Sequence, residues 1–271
     1  MKLAYQTNTW GGVIGHPAGV TSVKDLYYLT NGSTEQALED ISAAGYTGVE
    51  IFDGNLAQYA GREAEFRQNL QRLNLQLVGT YSGANFIYQD ILGDELSKIE
   101  KAAQLAASLG AEHLVVGGGA IRAGGAQKDD HRKLGEGLEA VVVLAKRAGL
   151  IPSYHPHLGT IGQAPEQIAQ VFQHTSINFC PDTAHLELGG TDCAELIRTY
   201  ADHIKYVHLK DFKNGQFLPL GQGQQDLHGI LKALRDIQYD GWIGVELDGY
   251  GGPAKEAAQS SREFLEAWER G

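Results

Sequence analysis

Short apolar runs alternate with segments of helical period along this chain, and the alternation repeats eight times. Leu3–Thr7, Gly48–Phe52, Gln76–Thr80, His113–Gly117, Ile151–His155, Ile177–Pro181, Ile204–Leu209 and Gly241–Leu247 are brief, apolar and bounded by turn residues. Parallel strands buried on both faces read this way. Between them lie amphipathic helices. Segment 33–44 opens on Ser33 and Gln36, a capping box for the free backbone N–H groups, and closes at Gly45, a left-handed stop. Segment 134–148 sets Leu138, Val141, Val142 and Ala145 on one face and ends at Gly149. Segment 226–237 does the same with Leu227, Ile230, Leu231 and Leu234, and a last helix is expected from about Pro253 to the end.

Eight βα units in 271 residues predict one (β/α)₈ TIM barrel, a single α/β domain over 1–271. A doubly wound open sheet is the competing architecture. It would carry a phosphate-binding glycine turn after the first strand, where this chain reads Gln-Thr-Asn-Thr-Trp-Gly-Gly. The glycine-rich stretch 117–125 has neither nucleotide-binding spacing and reads as a mobile loop after the fourth strand. The longest excursion, roughly Gly11–Gly32, carries Tyr27 and Tyr28 and is either a lid over the site or an ordinary surface loop.

Charge and composition narrow the class. A net charge of −11, with only 22 Lys and Arg, argues against nucleic acid and anionic membranes as main partners. The two cysteines, Cys180 and Cys193, make no disulfide framework. The N-terminus lacks an apolar signal core, and no run approaches a membrane span. A soluble cytoplasmic enzyme with a small-molecule substrate is expected, and a homo-oligomer is compatible with this.

The chemistry gathers at the ends of the later strands. His155 and His157, Asp182 and His185, His208 and Lys210, and Glu246 all fall there. Residues two apart on a strand share a face, and the carboxyl ends of barrel strands converge on one pocket. His155, Asp182, His208 and Glu246 therefore read as ligands of one divalent metal. Mixed imidazole and carboxylate donors suit Mn²⁺, Co²⁺, Zn²⁺ or Fe²⁺ better than Ca²⁺. His113, His131, His174, His203 and His228 lie off these ends and read as structural. His-Glu-x-x-His and Gly-x-Ser-x-Gly motifs are absent, which disfavours the common hydrolase templates.

At these residues the chain resembles the xylose isomerase-like TIM-barrel superfamily, the sugar isomerase/epimerase group. The resemblance runs nearly end to end. It rests on 33–51, on Asp182-Thr-Ala-His185, His208-Leu-Lys-Asp211 and Leu220-Gly-Gln-Gly-Gln-Gln-Asp226, and on Tyr239-Asp-Gly-Trp-Ile-Gly-Val-Glu246. Within the group it looks most like the inosose dehydratases of inositol catabolism, which carry a His-x-His-x-Gly-Thr run matched here by His155-Pro-His-Leu-Gly-Thr160. Most epimerases and isomerases of the group have a glutamate where this chain has His155. In ketose 3-epimerases that glutamate is one of two opposed acid/base carboxylates. The last strand reads Glu246-Leu-Asp-Gly, where inosose dehydratases usually read Glu-x-Glu-Gln.

The resemblance and the ligand pattern together predict a metal-dependent lyase that dehydrates a sugar- or cyclitol-like keto-polyol through a metal-stabilised enolate, with Mn²⁺ or Co²⁺ the first expectation. His157, His185 and Lys210, with the ligand Glu246, are the candidate catalytic groups. Gln6, Trp10 and Glu50 are the candidate pocket lining. A lysine beside a bound cation is expected to have a lowered pKa. The alternatives are a metal-dependent isomerase or epimerase of aldoses or ketoses, and a non-catalytic sugar-binding barrel.

Overall fold

The computed structural model describes residues 1–11 and 27–271, and in it the apolar runs pair side by side. Strands β1 (Lys2–Gln6), β2 (Gly48–Phe52), β3 (Gln76–Ala84), β4 (His113–Gly118), β5 (Ile151–Tyr154), β6 (Asn178–Phe179) and β7 (Tyr206–Leu209) follow in order. A hairpin of β8 (Asp211–Lys213) and β9 (Gln216–Leu218) intervenes before β10 (Trp242–Val245). All but the hairpin strands form one parallel sheet ordered β6-β5-β4-β3-β2-β1-β10-β7. Bridges Phe179–Ile204 and Asp182–His208 join its two outer strands, so the sheet closes into the predicted TIM barrel.

Helices α1 (Thr34–Ala43), α2 (Asp53–Ala57), α3 (Glu63–Arg72), α4 (Gln89–Ser108), α5 (Asp130–Ala148), α6 (Pro165–Phe172), α7 (Thr183–Leu188), α8 (Cys193–Thr199), α9 (Leu227–Asp236) and α10 (Ala254–Arg270) connect and follow the strands. The apolar stripes read from sequence on α1, α5 and α9 are buried. Each Leu or Ile so buried is worth about 1.5–3 kcal/mol. Ser33 accepts from the Gln36 N–H at 3.2 Å, but the Gln36 amide turns to Asp40, one helical turn on. Only half of the expected capping box therefore forms. No helix among the described residues is long and apolar enough to cross a membrane.

Strand ends set the site. The strands expected to reach His155, Pro181 and Leu247 end at Tyr154, Phe179 and Val245, although single backbone bonds to the neighbouring strands continue through His155, Pro181 and Glu246. Pro156 and Pro181 have no N–H to offer a ladder, which shortens β5 and β6. His155, Asp182 and Glu246 thus lie at the carboxyl edge of the sheet. Gly117 on β4 makes room for the site wall, because a Cβ there would lie 1.8 Å from the Tyr81 hydroxyl. The hairpin escapes sequence analysis because three-residue strands show no period. It is held by Asp211, whose carboxylate accepts from the N–H groups of Phe212, Gly221, Gly223 and Gln225.

Two loop expectations change. In the stretch 117–125, Gly117 and Gly118 belong to β4, and the loop beyond is anchored at Arg122. Arg122 donates twice to the buried Asp130, at 2.9 and 3.1 Å, and lies 4.8 Å from the Tyr88 ring centre. The excursion Gly11–Gly32 lies mostly outside the described residues. Its return is clamped by α2: Asp53 accepts from the Tyr28 N–H at 2.8 Å, and Asn55 bonds both backbone groups of Thr30. Asp53 also accepts from Ser82 and from the Lys98 ammonium, at 2.6 and 3.2 Å.

Burial pushes the Asp53 carboxyl up and the Lys98 amine down, against their mutual attraction. Such a pair stabilises little as a whole but is costly to break from one side. Lys98→Met should lower unfolding stability by about 3–5 kcal/mol in urea titration. A loss under about 1 kcal/mol would mean that Asp53 simply turns neutral.

Candidate active site

The cluster at the barrel mouth is assembled from the ends of four strands. Asp182 follows β6 and caps α7. Its Oδ1 accepts from the His185 N–H at 2.9 Å, which leaves Oδ2 facing the cluster. His155 donates from Nε2 to that Oδ2 at 3.0 Å. His208 on β7 donates from Nε2 to Glu50 Oε2 at 2.9 Å, and its Nδ1 lies 2.9 Å from Glu246 Oε2. Ligand atoms of His155, Asp182, His208 and Glu246 all fall within 4.8 Å of one another. The four side chains chosen from sequence are thus brought together.

These residues fit a metal ion. His208 Nδ1 and Glu246 Oε2 are close but not aligned for a hydrogen bond, and neither has a hydrogen-bond partner, although the Lys210 ammonium lies 3.1 Å from Glu246 Oε2. Two converging donors left unpaired in a dry site are what a cation would satisfy. Glu50 stands behind His208, fixing its tautomer so that Nδ1 is the nitrogen free for a metal.

The second imidazole set lies alongside. Ligand atoms of His157, His185 and Asp248 also fall within 4.8 Å of one another, and the rings of His157 and His185 are 3.6 Å apart. Lys210 joins the two sets. Its Nζ lies 2.8 Å from Asp182 Oδ2, 3.1 Å from Glu246 Oε2, 2.8 Å from Asp248 Oδ1 and 3.0 Å from His185 Nε2. The Phe217 ring, from the hairpin, covers it at 5.5 Å. Thr183 fixes this lysine's backbone, accepting from its N–H and donating to its carbonyl, each at 3.0 Å.

Charge follows geometry. Burial alone would lower the Lys210 pKa, but the carboxylates of Asp182, Asp248 and Glu246 outweigh it and hold the ammonium above its ordinary range. The expected lowering does not occur in this environment. Asp182 is held well below the usual carboxylate range: burial opposes this, but the charge of Lys210 and the hydrogen bond from His155 prevail. Glu246 and Asp248 are likewise held down, chiefly by Lys210 against burial. His208 is raised well above normal by Glu50 and Glu246 despite burial. His155 and His157 are lowered, burial being the main cause in both.

A cavity of about 390 Å³, counting space open to solvent, lies over the cluster. It is lined by His155, His157, Thr160, Glu246 and Asp248 on one hand and by the rings of Tyr28, Phe52 and Tyr81 on the other. Of the expected lining, Glu50 is fully buried beneath His208. Gln6 caps the turn after β1 by accepting from the Asn8 N–H at 2.9 Å. Trp10 is placed elsewhere, donating to Asp40 of α1 at 2.9 Å. Asn8 was missed. Its amide donates to Glu246 Oε1 at 2.9 Å and reaches Asp248 Oδ1 at 3.4 Å, and nothing marks a lone Asn in a polar turn. Asp248 carried a signal in its two-residue spacing from Glu246.

A model of the family described as xylose isomerase-like TIM barrel matches residues 38–268. The chain is similar to an inosose dehydratase of Lacticaseibacillus casei, 28% identical over 86% of this chain and 89% of that one. Among solved structures it is similar to the IOLI protein with a zinc atom, at a TM-score of 0.79 and 17% identity over 99% of this chain and 98% of that one. It is also similar to a probable 3-DHS dehydratase from Bacillus anthracis, at a TM-score of 0.76 and 15% identity over 98% and 99%.

If Glu50 acts on the metal through His208, Glu50→Gln should weaken Mn²⁺ affinity about 10–100-fold. Isothermal titration of the folded variant measures this, and an unchanged dissociation constant would confine Glu50 to packing.

Proposed function

The chain belongs to the xylose isomerase-like TIM barrel family, and within it we propose a metal-dependent dehydratase of a cyclic keto-polyol, an inosose or a close cyclitol relative. The reading is carried by the cage of His155, Asp182, His208 and Glu246, with two of its donor atoms buried and unpaired. The inosose dehydratase relatives and the zinc in the similar IOLI structure support it.

A divalent ion in the cage supplies a Lewis acid that makes the proton beside a ketone removable. The side chains do the rest. His157 donates from Nδ1 to the Leu158 carbonyl at 2.7 Å, so its Nε2 carries the lone pair and can take a proton. His157 lines the cavity, which puts this base where substrate enters. His185 is the candidate proton carrier on the opposite side of that ring pair. The Lys210 ammonium is a fixed positive charge for a developing oxyanion or a departing hydroxyl. Asn8 and Lys210 together orient Glu246. The aromatic wall of Tyr28, Phe52 and Tyr81 offers the apolar face that a ring substrate needs.

Isomerase or epimerase chemistry could use the same cage. It is disfavoured because two-base epimerisation needs opposed carboxylates, and His155 stands where one of them would be. Product analysis separates the readings: metal-loaded protein given keto-inositols should release one water per turnover. Efficient ketose epimerisation with no loss of water would overturn the proposal.

Chelation should abolish turnover, and Mn²⁺ or Co²⁺ should restore it. Full activity in a verified metal-free sample would remove the metal from the reaction. Lys210→Met should cost turnover on the order of 10²-fold or more. A folded, metal-bound variant working at the wild-type rate would assign Lys210 to structure.

A further inference from the structure

We propose that the Lys210 ammonium takes the place of a second cation. His157, His185 and Asp248 form a second cage beside the first, and the lysine fills it. The protein then holds one divalent ion per chain where the same side chains without Lys210 would hold two. The inference rests on reading the first cage as a divalent site.

Several observations carry it. Two imidazoles and a carboxylate within 4.8 Å are a sufficient donor set for a first-row divalent ion. All three are buried. His185 Nδ1 and Asp248 Oδ2 are buried with no hydrogen-bond partner, and Asp248 Oδ2 lies 3.1 Å from His185 Nε2 without the alignment of a bond. The lysine is arranged as an ion more than as a donor. An ammonium has three protons, yet four acceptor atoms from four residues surround Nζ between 2.8 and 3.1 Å. Only those of His185 and Asp248 meet hydrogen-bond geometry. Asp182 and Glu246 are held by charge. A dication entering the second cage would have to displace this tethered charge or sit against it in a dry site, where like-charge repulsion is strong. Nζ also touches Asp182 and Glu246 of the first cage, but His155 Nδ1 and His208 Nδ1 there are buried without a hydrogen-bond partner, so that cage keeps donors for a metal.

The consequence is a site with one exchangeable cation and one built into the chain. Metal stoichiometry tests it, read by equilibrium dialysis against Mn²⁺ with the electron paramagnetic resonance spectrum of the bound ions. Wild type should saturate at one equivalent. Lys210→Ala should take up two, with spin coupling between them, and adding His157→Ala to it should return the count to one. Ethylammonium, which restores the missing charge, should suppress the second equivalent.

One equivalent in Lys210→Ala, or two in wild type, would overturn the inference. Wild type with none would sink the reading of the first cage instead, and a gain of one equivalent on removing Lys210 would still support the second. Should Lys210→Ala not fold even with Mn²⁺ present, His157→Ala in the wild-type background decides. It should hold one equivalent with an unchanged dissociation constant, and a lower count would place the wild-type ion in the second cage and overturn the proposal.

Discussion

Asp182, Glu246 and Asp248 share one ammonium, and much of the site depends on that arrangement. Three carboxylates in a buried pocket cannot all stay ionised without positive charge among them, since each unpaired one costs several kcal/mol in a medium of low polarisability. Lys210 supplies that charge from a stem covered by Phe217 and a backbone pinned by Thr183. His208 serves the remaining carboxylate, Glu50, from its other nitrogen. The two carboxylates of the first cage are thereby kept anionic, and the imidazoles of His157 and His185 lie 3.6 Å apart, tilted by 38°, at its edge.

The barrel makes this placement possible because its strands end at different heights. Proline after His155 and before Asp182 withholds an N–H from the ladder at the ends of β5 and β6, while Asp182 stays bridged to His208. Asp182 shows the economy of the result: one carboxylate oxygen starts a helix and the other faces the cluster. Mutating such a residue changes local folding and site charge together, so the two effects need separate measurements.

The eight-fold alternation was readable because parallel strands buried on both faces leave short apolar runs, and the caps at Ser33, Gly45 and Gly149 bounded helices between them. The gathering of His155, Asp182, His208 and Glu246 was readable for a related reason: a polar residue closing an apolar strand points to the place where such strands meet. The partners that complete the site left weaker traces. Glu50 sits mid-strand and was taken for pocket lining, because sequence does not reveal whether a buried glutamate faces a ligand or another side chain. Trp10 was assigned by proximity to a strand end, but its indole N–H found a carboxylate on α1. Asn8 lies in a single turn with no period at all. The hairpin that carries Phe217 depends on Asp211 gathering backbone N–H groups up to fourteen residues away, and no local pattern encodes that.

His155 connects the charge balance to the chemistry. A glutamate there would add a fourth carboxylate around Asp182 and Lys210, and it would bring a second base to the site. An imidazole adds a donor atom without adding negative charge, so a single lysine suffices for the three carboxylates around it. Proton removal from one face, with a fixed ammonium near the leaving oxygen, is the requirement of dehydration; epimerisation needs a proton returned from the opposite face. In this barrel an imidazole in place of a carboxylate at the end of β5 leaves the pocket with one negative charge fewer to balance, and its Nε2 is bonded to Asp182.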